Sequence, residues 1–441
     1  MTQSRWAVLL CKFSQDISST LPVEHYKRLF TGEGTGSLNI TDFFHDVTHG
    51  KLDLTKSEVH GWFTIPIKNK AEYDSFDAQH LQDPSIPQSR VKLMQVARKT
   101  AADNGIDLNT FDGLVVCMNG PMDIWGVIGG MEAAFDSGWG LRPSIMGQEM
   151  GHGYGLDHSR LDGLEVDYQD SWDIMSTDNA DEAVSAEYKN VGPGLNAANM
   201  RSRGWLDESR VFTTGNSDYD TTIQLRPLHR HDLPGLLAAD IGGYLVEYRK
   251  QERWDAGIPR SAVLLHRFQN NHSYLMLGNA GHADLVAGET FGTLTPANPY
   301  DIFASYSGLE VISIDDANNT ATIRLVLHRG YQMPQIGGST IGGVDRDGDG
   351  GIVINGILHR IPPWDPWVAV LEQAVAYRSA SVIEDVAARL AAQRSALNTA
   401  TRSIAALAAQ ASSIRTPALA RTPSMVQAPR AGGAAGKGQA R

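Results

Sequence analysis

Eleven residues, Gln148-Glu149-Met150-Gly151-His152-Gly153-Tyr154-Gly155-Leu156-Asp157-His158, constrain this chain more than any other feature. A helix with 3.6 residues per turn places positions 148 and 152 on one face, so two donor side chains point the same way. Glu149 then falls beside the first donor, where it reaches a water on a metal rather than the metal itself. Gly155, which lacks Cβ, lets the chain turn sharply out of the helix, and His158 returns as a third donor. Three protein donors with one open position is the arrangement of a catalytic zinc ion. The first donor is the odd one. Gln148 offers only a neutral amide oxygen, a harder and weaker partner for zinc than a ring nitrogen, so metal affinity is what it puts at risk.

Two further segments extend the pattern. Downstream runs Tyr168-Gln169-Asp170-Ser171-Trp172-Asp173-Ile174-Met175-Ser176, and upstream runs Phe43-Phe44-His45-Asp46-Val47-Thr48-His49-Gly50-Lys51-Leu52-Asp53-Leu54. Together with Ser159 after the third donor, they resemble the gametolysin family of metzincin zinc metallopeptidases in its QExxH form. The likeness to immune-inhibitor-A-type metallopeptidases is more distant. It spans residues 5 to 330. The resemblance implies an α/β (α+β) catalytic domain with a mixed sheet and an active-site helix, and a zinc-dependent endopeptidase. One zinc ion would be held by Gln148, His152 and His158 over a methionine turn at Met175, with Glu149 as general base. The substrate would be a protein or peptide, and the location extracellular. Some members of that family carry Gln at this position, which is compatible with activity. The rival reading is a catalytically impaired scaffold that binds protein, because Gln148 replaces the first histidine.

Neighbouring residues have simpler readings. Asp157 is expected to cap the turn through a backbone N–H. Trp172 and Asp173 are expected to brace the methionine turn, and Tyr168 either packs there or donates to a transition state. Thr177 stands where some metzincins place an additional tyrosine donor. His45 and His49 suit structural hydrogen bonds, and His229, His231, His266, His272 and His282 lack ligand spacing.

Composition limits the partners. Residues 361–441 carry nine basic and four acidic residues, a net of +5, which leaves −17 of the total −12 on residues 1–360. An acidic body argues against a nucleic-acid groove. Cys11 and Cys117 both lie in apolar strand-like runs and read as buried free thiols. No run reaches the roughly 18 apolar residues that a membrane span needs. Met1-Thr2-Gln3-Ser4-Arg5-Trp6 leads straight into a strand with no separate apolar signal segment.

The texture divides the chain into five parts. Residues 1–205 alternate strands and helices, with strands over 5–13, 59–65 and 113–118 and an edge strand over 125–131. Helices are expected over 24–30, 41–47 with a Thr cap, 89–104 and 143–154. Residues 206–330 turn to short alternating runs and predict an all-β sandwich. Residues 331–362 form a Gly/Asp-rich hairpin or linker. Within it, Asp345, Asp347 and Asp349 occupy the first acidic positions of a Ca²⁺ loop, but Gly356 stands where a bidentate Glu belongs, which favours a tight turn. Residues 363–414 are Ala-rich and helical. Ile383, Leu390, Leu397 and Ile404 recur every seven residues there, a stripe that packs on the protein itself or self-associates. Residues 415–441 form a basic, Pro/Ala/Gly-rich tail that is expected to be disordered.

Overall fold

The computed structural model describes residues 2–345, 351–354 and 357–360, apart from 19, 78–86, 139, 178, 214–216, 297–302 and 333–340. The expectations for 363–414 and 415–441 lie outside these residues. So do Asp347 and Asp349; Asp345 ends the strand Ile341–Asp345, which pairs antiparallel with Gly351–Ile354. The architecture is mixed α/β, with several sheets and few helices. Among the described residues no helix is long and apolar enough to cross a membrane.

Trp6–Phe13 lies inside a five-stranded sheet between Glu58–Ile65 and Gly113–Met118. Glu132–Asp136 follows in parallel, and Trp125–Gly126 closes one edge antiparallel. Trp6–Phe13 and Gly113–Met118 are apolar at every position but Lys12, because both faces are covered. Trp6, Val8 and Leu10 join the core under the helices Val23–Phe30, Ile40–Val47 and Pro143–Gly153. Ala7, Leu9 and Cys11 join the opposite core under the helix Gln88–Asp103. This alternation also separates the two thiols. Cys11 and Cys117 face opposite sides of the sheet, are buried and remain free, and burial pushes the Cys11 thiol up to about 12.

Local differences from the sequence reading have local causes. The second helix starts at Ile40, and its cap is Asn39, whose side chain accepts from Asp42 N at 2.9 Å. Thr41 lies inside the helix and gives its hydroxyl to Asn39 Oδ1. The expected edge strand of 125–131 shortens to Trp125–Gly126, because the chain turns at Val127–Gly130 to pair back with Glu132.

Residues 206–332 supply two sheets. One orders Val211–Phe212, Ala238–Asp240, Tyr244–Arg249, Ala262–Gln269, His272–Leu275 and Arg160–Leu161; the other orders Tyr219–Leu225, Thr320–Gln332, Phe303–Asp315 and Thr290–Pro296. Val246, Tyr248, Val263 and Leu265 of the first pack with Leu225, Val311, Ile323 and Leu325 of the second. The described residues on either side of 205 belong to one compact unit. Arg160–Leu161 joins the first β-sheet, and Phe43 meets Trp254 edge-on at 5.1 Å.

The same junction carries an acid-sensitive group. His49 Nε2 donates to the Leu228 carbonyl at 2.9 Å, and its ring stacks on His231 at 4.9 Å. Burial, then His231, Arg210 and Lys51, lower His49 to about 4 against the Leu228 hydrogen bond. A base whose folded pKa is depressed stabilises the fold above its unfolded value and loses that contribution as pH falls. The window therefore runs from 6.5 down to about 4. The loss from this group is roughly 3 kcal/mol, taking about 1.4 kcal/mol per pH unit. Urea titrations at pH 7 and pH 4.5 check it: His49→Gln should flatten the pH slope by about that amount, and an unchanged slope would exclude His49 as the cause.

Candidate metal centre

The motif helix runs Pro143–Gly153 with Pro143 in its first turn, and every residue in it is buried. Its glycines set how close its neighbours lie. A Cβ on Gly147 would come within 2.9 Å of the Phe43 ring, and one on Gly151 within 3.0 Å of Met175 Sδ. Met175 is fully buried and packs against the helix one residue before His152. Gly155 adopts φ +86°, and its N–H closes on the His152 carbonyl at 2.7 Å, which turns the chain towards His158.

The two histidines converge. Their rings meet edge-on with centroids 4.8 Å apart. His152 Nδ1 lies 2.8 Å from the Leu156 carbonyl, which only accepts, so Nδ1 carries the proton and Nε2 the lone pair. His158 Nδ1 faces Asp167 Oδ2 at 3.1 Å, with the same consequence. Such outer partners orient metal-ligating histidines and fix their tautomer. Burial lowers the His152 pKa, with Glu149 opposing. Burial disfavours the charged form of Asp167, yet hydrogen bonds from Arg160 and His158 hold it below the usual carboxylate range.

Glu149 is 9% exposed, and its Oε2 lies 4.0 Å from His152 Nε2. Burial pushes its pKa up; His152 and hydrogen bonds from Gln148 and Gly126 hold back part of the rise. Gly126 belongs to the edge strand, and a Cβ there would strike the Glu149 carbonyl at 2.0 Å. The strand edge therefore packs directly on the helix that carries the carboxylate.

Gln148 has both ends of its amide engaged. Oε1 accepts from Thr177 N at 2.9 Å, and Nε2 donates to Glu149 Oε1 at 3.2 Å. An amide oxygen has two lone pairs, so this bond leaves one for a metal. Tyr168 adopts φ +63° and places its hydroxyl 2.8 Å from His158 Nε2. It sits on the nitrogen that a metal would use and must move aside or join the donors. Among the described residues no trio of His, Cys, Asp or Glu side chains is placed to hold a metal ion. The side chains here that could hold a metal ion are the imidazoles of His152 and His158 and the amide oxygen of Gln148.

The flanking residues have definite partners. Asp157 Oδ1 accepts from His158 N at 2.8 Å. Asp173 Oδ1 accepts from Met175 N at 2.7 Å and from the Ser159 hydroxyl at 3.1 Å, and Oδ2 from Asn196 N at 2.6 Å. Burial and the Asp170 carboxylate push Asp173 up, while the Asn196 and Met175 N–H groups hold it back. His45 is exposed beside Asp46 and His49 bonds Leu228, so neither belongs to the His152–His158 cluster. Asp167 and Gly126 were not legible as site residues. Asp167 returns through an isolated bridge to Arg160, which no local spacing marks.

No family model matches the chain, and no curated protein matches it. A solved structure, wild-type OgpA from Akkermansia muciniphila, is similar at 12% identity over 75% of this chain and 93% of that one, with a TM-score of 0.27. A superposition that loose establishes neither family nor activity.

Proposed function

We propose that this protein is a zinc-dependent endopeptidase with a metzincin-like catalytic region, with Gln148, His152 and His158 as the donors and Glu149 as general base. The observation that carries the reading is the convergence of the His152 and His158 rings at 4.8 Å beside a buried carboxylate, each Nδ1 tied to its own acceptor. A zinc ion held by these residues would supply the chemistry of lowering the pKa of water and polarising the scissile carbonyl. Glu149 would serve as the general base and deliver the proton to the leaving nitrogen, and burial shifts its pKa upward, the direction that role calls for. The edge strand Trp125–Gly126 lies against the helix that carries Glu149, which puts a sheet edge beside the proposed site. Met175 supports the donors from below without ligating, since a thioether competes poorly with imidazole for zinc.

A second reading has its own support. The Gln148 amide is engaged at both ends, and Tyr168 covers His158 Nε2, as expected of a scaffold that binds protein without cutting it. Chelator-sensitive digestion of casein or gelatin by purified protein distinguishes the two. One zinc per chain without cleavage of either substrate would favour the scaffold.

Gln148→His should raise zinc affinity by about tenfold or more, because an imidazole replaces a weak amide donor. Competition with a fluorescent chelator measures it, and an unchanged constant would remove Gln148 from the donor set.

A further inference from the structure

The third donor is held from outside its own region. Gln269–His272 is a tight hairpin whose two central residues, Asn270 and Asn271, take φ +51° and +66°. Two consecutive positive φ values define the turn that matches the twist of paired strands, and Asn tolerates them. This turn ends on the loop that carries His158. Asn271 Nδ2 donates to the Gly155 carbonyl at 3.4 Å, and Arg203 bonds Asn271 Oδ1 at 3.2 Å. His272 Nδ1 lies 2.8 Å from the His158 carbonyl, and its Nε2 lies 3.6 Å from Asp157 Oδ2. A carbonyl only accepts, so Nδ1 of His272 donates. The strand then continues parallel to Arg160–Leu161, with Tyr274 opposite Arg160 and Leu275 opposite Leu161, and Asp162 N bonds the Leu275 carbonyl at 2.8 Å. Residues 155–162 are thus fastened along their length to a hairpin more than a hundred positions away.

From this arrangement we infer that His272 is a positioning residue for the metal centre: its Nδ1–H fixes the His158 backbone and so the aim of the His158 ring. The β-region is then a working part of the centre rather than an appended substrate-binding module. A second link points the same way. His266, on the strand paired with His272–Leu275, lies 3.0 Å from Asp170 Oδ2, and the Asp170 carboxylate also accepts from Trp172 N in the segment leading to Met175. The inference rests on the proposed metal site, and its test separates the two.

Asparagine places its amide N–H near the position of histidine Nδ1, and glutamine near that of Nε2. His272→Asn therefore keeps the bond to the His158 carbonyl, and His272→Gln loses it. Zn²⁺ affinity of the full-length protein, measured by chelator competition, should fall about 10–100-fold in His272→Gln, as when outer partners of metal ligands are removed. His272→Asn should stay near the parent value, while the zinc-free melting temperatures of the two variants agree. Equal zinc affinity in all three proteins, or an equal loss in both variants, would overturn the role of His272 and leave the metal site standing. A parent protein that binds no zinc would overturn the metal site, and this role with it.

Discussion

Glu149→Ala is expected to lower the rate of casein cleavage about 10²–10⁴-fold, the usual contribution of a positioned general base, and to leave zinc bound. The carboxylate is the only buried acid beside His152 that the described residues provide within 4.0 Å, and it reaches the histidine without being tied to it. Losing it removes the proton acceptor and leaves both imidazoles and their Nδ1 partners intact. Zinc content by atomic absorption, beside initial rates on one substrate, makes the measurement. Chelator-sensitive cleavage that survives Glu149→Ala would rule out the proposed mechanism. Glu149→Gln should give a similar loss with less change in packing, which separates the acid–base role from the space the side chain fills.

The largest expected effect on stability lies elsewhere. Arg249 is 1% exposed and donates through Nε to Asp255 Oδ2 at 2.8 Å and through Nη1 to Glu247 Oε1 at 3.2 Å; a further Nη2 contact reaches Asp255 Oδ1. Asp255 also accepts from Gly194 N at 2.8 Å, and Glu247 accepts from Ala197 N. Removing the guanidinium leaves Asp255 buried without its ion-pair partner and Glu247 with only His266 Nδ1 at 3.8 Å, which costs about 3–5 kcal/mol. Arg249→Met should therefore lower the urea midpoint with little change in slope, and adding Glu247→Gln and Asp255→Asn should recover much of the loss. A change below about 1 kcal/mol would mean that the pair contributes no more than an exposed one. The Gly194 carbonyl accepts from Ile174 N at 3.2 Å and Asn196 N bonds Asp173, so this ion cluster is tied to the turn that carries Met175.

Much of the central sheet was legible because its signal is local. An apolar run such as Trp6–Phe13 and a helix as regular as Gln88–Asp103 declare themselves by period, and the Gly155 turn by residue type. The Asn39 cap was misread by two positions because Asn and Thr both cap helices, and only the backbone tells which one stands at the boundary. His272 has no ligand spacing. Its contact with His158 spans 114 positions, and spacing carries no information at that range. At 205 the texture passes from alternating strands and helices to strands, and texture cannot report that Phe43 packs on Trp254 or that Arg160 pairs with Tyr274.

By itself the sequence determined which side chains share the motif helix, where that helix ends, and which residue types could meet a metal, since each follows from helical period and glycine's freedom at φ > 0. The tertiary structure alone decided what those side chains touch. It turned the Gln148 amide to Thr177, gave His158 the carboxylate of Asp167 and the hydroxyl of Tyr168, and set His272 on the backbone behind it. Hydrogen-bond partners depend on which distant segments arrive at the same place, and that is settled by packing of the whole body rather than by any pattern along the chain.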